Sequence, residues 1–193
     1  MLRRATLEDA DALSALASTC FTQTFGHLYA PADLDRFIHE AYSPKVLRAE
    51  LADPKHPTWL LFEELSMDAE SSPSPAHVDE GSEGTLIGYV TACPAHLPHP
   101  EVKEGDGEVQ RLYLLQEYQG GGRGSRMLEH ALNWLEADGP RTLWIGVWSE
   151  NYGAQRLYGR YGFTKVGEYS FMVGDHADRE FILRRDTAVQ ESS

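Results

Sequence analysis

Residues 118–128 read YQGGGRGSRML and put four of the chain's 17 glycines inside five positions. Glycine loses more backbone freedom on folding than any other residue, so such density needs a reason. The flanks supply one. EVQRLYLL, residues 108–115, reads as a strand, and SRMLEHAL, residues 125–132, as the start of an amphipathic helix. A glycine turn between them leaves the orphan N–H groups and positive dipole end of a helix unscreened by side chains. That arrangement accepts a phosphate or pyrophosphate; a ligand-free surface turn is the alternative for the stretch taken alone. The strand's apolar alternation slips near Arg111 and Leu112, which marks a bulge. Two familiar phosphate motifs fit poorly. A Walker loop needs Gly-Lys-Ser/Thr, and the stretch holds no lysine. The dinucleotide fingerprint needs a third glycine where Ser125 or Met127 stands.

Strands and helices alternate through the rest of the chain. MLRRAT reads as an edge strand. Thr6 with Asp9 is a capping-box-like start, and Leu13, Leu16, Ala17, Cys20 and Phe21 recur at helical spacing, predicting a helix to about Thr24. A second helix covers Asp33 to about Tyr42, and Ser43-Pro44 opens a third to Leu51. PTWLLFEE and GTLIGYVTAC are strands. Between them, residues 66–84 (SMDAESSPSPAHVDEGSEG) carry no Lys or Arg and little that is apolar, so a flexible acidic insertion is expected. AHLPHPEVKEGDG is a loop. The helix after the glycine turn ends at Gly139 and Pro140. TLWIGVW is a buried strand, and SENYGAQRLYGRYG a short helix capped by Ser149 or Asn151. FTKVGEYSF and DREFILRRD close as two strands, and residues 187–193 form a disordered tail. This order predicts one α/β domain over residues 1–186, with a mixed central sheet of about six to seven strands flanked by helices.

Composition narrows the partners. The net charge is −13. Residues 1–108 hold 19 acids against 7 Lys/Arg, and residues 109–193 hold 11 against 10, so the surplus is N-terminal. Nucleic acid is not expected as a partner, because its binding rests on lysine and arginine. An acidic half instead attracts cations, or simply keeps the chain dissolved. No apolar run approaches the roughly 18 residues of a membrane span. MLRRATLEDADAL lacks the apolar core of a signal peptide, so a cytoplasmic location is expected. Cys20 and Cys93 form neither a disulfide framework nor a metal motif and read as buried, inert thiols; no metal is expected.

Three stretches occur together in order. Glu108 stands on the strand GEVQRLYLLQEYQ; Gln119, Gly122 and Gly124 spell Q-x-x-G-x-G; WSENYGAQRLYGRYGF follows a helix and a strand later. The combination resembles the GNAT (GCN5-related N-acetyltransferase) superfamily, most closely over residues 84–171. The resemblance implies a single GNAT-type domain with a bulged cofactor-binding strand, and acetyl-CoA as co-substrate. It implies that the backbone of Leu112, Tyr113 and Leu114 receives the pantetheine arm. The pyrophosphate would rest on the amides of Gly120, Gly121, Gly122, Arg123, Gly124 and Ser125, following Gln119, with Arg123 adding positive charge. Arg126 reads as a solvated helix residue. Asn151 matches the family asparagine beside the cofactor arm, Ala154 is small where that arm passes, and Tyr158 matches the tyrosine that protonates the departing thiolate. Tyr161 reads as packing. Glu108 occupies the position from which several relatives draw the base that deprotonates the amine, directly or through water. His96 and His99 read as loop-surface residues. Attack on the thioester would be direct, with no cysteine acyl-enzyme.

The acceptor is narrowed further by ASTCFTQTFGHLY and DLDRFIHEAYSPKVLRAEL, which resemble the N-terminal region of bacterial spermine/spermidine (polyamine) acetyltransferases. On that resemblance the two-helix segment walls the acceptor side, and Asp33, Asp35 and Glu40 face a small-molecule polycation. Acetylation of a protein N-terminus or lysine is the second reading, and a non-catalytic acetyl-CoA-binding module the third. Many relatives form homodimers, although the sequence names no interface.

Overall fold

The structure, a computed structural model, describes residues 1–63 and 84–186. Almost all of the expected acidic insertion and the whole of the expected C-terminal tail therefore lie outside the described residues.

Seven strands form one sheet in the order β1-β2-β3-β4-β5-β7-β6. They are β1 (Leu2–Arg4), β2 (Thr58–Phe62), β3 (Leu86–Pro94), β4 (Gly107–Leu114), β5 (Leu143–Trp148), β6 (Thr164–Val173) and β7 (His176–Arg185). Five helices flank them: α1 (Ala10–Phe25), α2 (Pro31–Tyr42), α3 (Pro44–Ala52), α4 (Arg123–Leu135) and α5 (Tyr152–Arg160). The mixed sheet and flanking helices are those the sequence predicts. No helix among the described residues is long and apolar enough to cross a membrane.

The sheet is buried on both faces. Along β3, Ile87 and Val90 turn to one layer and Tyr89 to the other, and all three are almost fully enclosed. On the first face α4 lays down Met127, Leu128, Ala131, Leu132 and Leu135, an apolar stripe at helical spacing, against Val109, Leu143 and Ile145. On the second, Leu13, Leu16, Ala17, Cys20 and Phe21 of α1 cover Leu60, Phe62 and Tyr89. Asp9 closes the capping box with Thr6 at the start of this helical segment, and Arg3 grips the same carboxylate at 2.8 and 2.9 Å. Arg3, first of all, holds the Asp9 carboxyl down to about 2. Both cysteines are buried and unpaired, and burial pushes the Cys20 thiol up to about 12.

One break in this regularity makes the site. All neighbouring strands run antiparallel except β4 and β5. These two pair only at Gly107–Leu143 and Glu108–Trp144 and then diverge. Just past that point β4 bulges: Val109 faces Ala92 and Arg111 faces Thr91, leaving Gln110 as the extra residue. The bulge therefore lies at Gln110, one position before the Arg111–Leu112 slip read from the alternation. A bulge bends its strand and adds twist, which carries β4 away from β5.

Candidate active site

The gap between the diverging strands is a narrow cleft of about 110 Å³. Residues 109–113 form its β4 wall; Leu112, Tyr113 and Leu114 pair with Val90, Tyr89 and Gly88 on one side only. Past Glu108, β4 has no strand partner on the β5 side among the described residues, so its amides and carbonyls there are available to an extended ligand. Asn151, Ala154 and Tyr158 of α5 line the opposite wall. The Asn151 side chain accepts from the Ala154 amide at 3.0 Å, so its helix-capping role is realised. Tyr158 is 6% exposed, packed edge-on against Phe163, and burial followed by the charge of Glu180 pushes its phenol well above the usual value.

The glycine turn lies next to this region, with Gly124 against Leu157 of α5 and Leu114 of β4. Gly120, Gly121 and Gly122 adopt φ values of 88°, 59° and 77°, a left-handed backbone that side chains with a Cβ rarely adopt. Gly122 is the N-cap of α4. Among the described residues no backbone carbonyl accepts from the amides of Gly121, Gly122, Gly124 or Ser125. A Cβ on Gly120 or Gly122 would meet nothing within 4 Å. These are open, unpartnered donors at a helix start, which is what a pyrophosphate requires. Gly124 is small for a different reason: Leu157 and Leu114 lie 3.5 and 3.9 Å from its Cβ position, docking α4 against α5 and the end of β4. Gln119 is exposed and donates its amide to Gln116. Arg123 donates to the Tyr118 carbonyl at 3.4 Å and stays with the loop, whereas Arg126 is exposed. Tyr161 packs against the core edge and donates its hydroxyl to Glu129 at 2.6 Å.

Toward α1 and α2, on the other face of the sheet, the cleft opens into a larger pocket of about 400 Å³. Aromatic rings dominate it, with Phe21 and Phe25 from α1, Phe37 and Tyr42 from α2, and Tyr169 and Phe171 from β6. Two carboxylates enter it, Glu108 and Glu180. The α1–α2 region thus walls this pocket, but not with its acids. Asp35 and Glu40 are exposed, Asp33 pairs with Arg36 at 3.2 Å, and none of the three lines the pocket. An amphipathic helix that turns Phe37 and Tyr42 inward must turn those acids outward.

Glu108 is 3% exposed. Its Oε2 accepts from the His96 amide at 2.9 Å and faces the His96 ring nitrogen at 3.2 Å. His96 is therefore a partner of Glu108 rather than a plain loop-surface residue, and the carboxylate raises the imidazole pKa. His99 tilts over Trp144 with ring centroids 5.1 Å apart, away from the carboxylates. Cys93, His96 and Glu108 bring three potential ligand atoms within 4.8 Å, where the sequence suggested no metal motif. Two features escape the sequence reading. Arg111 is held by Glu50 of α3 at 2.5 and 3.1 Å. Glu180 enters both cavities from β7, and burial, then the charge of Asp178, pushes its carboxyl up to about 8. The available signal was Asp178, Glu180 and Ile182 alternating on one strand face, acids where an apolar row belongs.

Known proteins share this architecture. A PaiA N-acetyltransferase from Thermoplasma acidophilum, solved with coenzyme A, superposes with a TM-score of 0.70 at 20% identity, covering 97% of this chain and 98% of that one. An uncharacterized N-acetyltransferase from the pepI 3′ region of Lactobacillus delbrueckii subsp. lactis is 26% identical over 171 residues, 89% of this chain and 88% of its own length. A spermine/spermidine N(1)-acetyltransferase of Bacillus subtilis is 32% identical over 92 residues, 46% of this chain and 59% of its own. The Acetyltransferase (GNAT) family model matches residues 13–163, and the chain belongs to that family of acetyltransferases.

Proposed function

We propose that the chain moves an acetyl group from acetyl-CoA to a primary amine of a small cation, with polyamines as the leading class. The observation that carries this reading is the 400 Å³ aromatic pocket with two carboxylates, joined to the cleft beside β4. Aromatic faces and carboxylates together recognise alkylammonium groups. The similarity to a spermine/spermidine acetyltransferase over 92 residues points the same way.

Acetyl-CoA supplies an activated thioester. The unpartnered amides of Gly121, Gly122, Gly124 and Ser125 suit its pyrophosphate, and the free edge of Leu112–Leu114 suits its pantetheine arm. Gly120 and Arg123 complete the turn, Gln119 leads into it, and Asn151 and Ala154 border the arm. Tyr158 keeps its proton at working pH and donates it to the leaving sulfur. Glu108 receives the ammonium in the acceptor pocket, where a carboxylate can hold it by charge.

Thiol release from acetyl-CoA with spermidine, spermine, aminoglycosides and basic peptides tests this. Turnover with polyamines and none with peptides is expected. Turnover with peptides alone replaces the small cation by a protein acceptor. Coenzyme A binding without turnover on any amine removes the amine reading.

A further inference from the structure

The cleft and the acceptor pocket share walls. Among the described residues Glu180 is the one carboxylate that lines both; Glu108 lines the acceptor pocket alone. Glu180 lies on β7 between Trp148 of β5 and Tyr169 of β6. Its Oε2 lies 3.9 Å, and the Tyr169 hydroxyl 3.4 Å, from the position a Cβ on Gly146 would take. Glycine at 146 keeps that space open. No hydrogen bond or ion pair within the described residues occupies the Glu180 carboxylate, whereas Oε2 of Glu108 is engaged by His96.

We propose that Glu180 is a catalytic base of the transfer, taking the proton of the acceptor ammonium at the junction while Glu108 holds the cation. This rests on the acetyl-transfer reading above. The protons balance. Glu180 takes one proton from the ammonium, freeing the nitrogen lone pair to form the C–N bond. When the C–S bond breaks, its electron pair goes to sulfur and Tyr158 protonates the thiolate. The second proton lost by nitrogen restores the phenol, and Glu180 returns its own proton to solvent.

The surroundings of Glu180 support the role. Asp178 stands two residues away on the same strand face, held by the Tyr29 hydroxyl and by His176 at 3.2 Å. Tyr29, Tyr113, Tyr158 and Tyr169 face Glu180 from four other parts of the fold. Arg111 lines the same junction, but its guanidinium is bound to Glu50. Burial and Asp178 thus outweigh any free positive charge and lift the carboxyl to about 8, close to the pH at which an ammonium must be deprotonated.

The test compares Glu180→Gln and Glu108→Gln. With spermidine at neutral pH, E180Q is expected to lose ~10²–10⁴-fold in kcat/KM and the pH-dependent limb near 8, with coenzyme A affinity unchanged. With a weakly basic amine such as trifluoroethylamine, already deprotonated at that pH, the loss should shrink to within about tenfold. E108Q should keep the limb and lose activity mainly through KM. Independently of turnover, carbon-13 carboxyl NMR of the glutamate-labelled protein without cofactor should show one carboxyl titrating near 8 that vanishes in E180Q. Equal losses on both amines, an unshifted limb, or no such carboxyl overturns the proposal alone. Absence of wild-type turnover on every amine overturns the acetyl-transfer reading first and the proposal with it.

Discussion

Replacing Tyr158 by phenylalanine separates chemistry from scaffold, because the ring packs in the core while the hydroxyl is the proton donor of the proposed mechanism. The ring is 6% exposed and packs against Phe163. The hydroxyl has no hydrogen-bond partner among the described residues, so its removal strands no group. The stability change should therefore stay within about 0.5 kcal/mol. On the proposed mechanism what is lost is a positioned proton donor, worth ~10²–10⁴-fold in rate. That is about 3–5 kcal/mol of transition-state stabilisation. Burial and Glu180 hold the phenol protonated well above its usual range, so it does not set the alkaline limb near neutrality. Y158F should therefore lower kcat at every pH without moving the profile. The assay is thiol release at saturating acetyl-CoA, paired with calorimetric titration of coenzyme A. A kcat within about threefold of wild type would refute the donor role. A parallel fall in coenzyme A affinity would show that the hydroxyl serves binding instead.

Three further outcomes follow from the same geometry. Gly122→Arg should weaken coenzyme A binding by more than ~100-fold, because its Cβ position is open onto the unpartnered amides. Gly105→Arg, with a similar φ of 94° and equally open space but outside the turn, controls for the backbone strain of about 1–2 kcal/mol and should bind normally. Glu50→Ala strips the partner from Arg111 and should cost about 3 kcal/mol in chemical denaturation, much of it recovered when Arg111→Met is added. Glu180→Gln should stabilise the fold at alkaline pH. The folded carboxyl sits near 8 against an ordinary 4.5, so its contribution to stability is complete below 4.5 and is lost as pH rises through 8. Melting temperatures of wild type and variant should thus diverge between pH 5 and 9; parallel curves would mean the carboxyl is not raised.

Much of the fold was legible because the deciding signals are local. The glycine turn needs left-handed residues before α4, and three consecutive glycines supply them. The α4 stripe, the Thr6–Asp9 box and the Asn151 cap each depend on residues within one or two turns of chain. The bulge was misplaced by one residue because alternation reveals a slip only after it has happened: Gln110 is the extra residue, and Arg111 and Leu112 merely show the new phase. The site was legible only where it is equally local. The α5 residues Asn151, Ala154 and Tyr158 line one cleft with Leu112 and Tyr113 of β4, and the glycine turn reaches that region through the contact of Gly124 with Leu157 and Leu114. His96 and Arg111 owe their roles to partners 12 and 61 residues away, and Glu180 to its place on β7 between Trp148 and Tyr169, all fixed by strand order rather than by local spacing.

The charge of the chain teaches the sharper lesson. The N-terminal half carries nearly the whole acidic surplus, and its acids on α2 invite the idea of a polycation site. Yet an amphipathic helix cannot present Phe37 and Tyr42 to a pocket and its acids to the same pocket. The carboxylates that line the aromatic pocket are Glu108 and Glu180, enclosed among rings where a charge is weakly screened. Exposed Asp35 and Glu40 act through water and salt and fade beyond about 8 Å at physiological ionic strength. The two groups of acids therefore have separable effects. Neutralising Asp35 and Glu40 together should slow capture of a polyamine at low salt, lowering kcat/KM there, with the difference vanishing at high salt and kcat untouched. Selection among amines should stay as it was, because it is made inside the aromatic pocket. A change in the spermine-to-peptide preference of that double variant would show instead that the outer acids belong to the acceptor site.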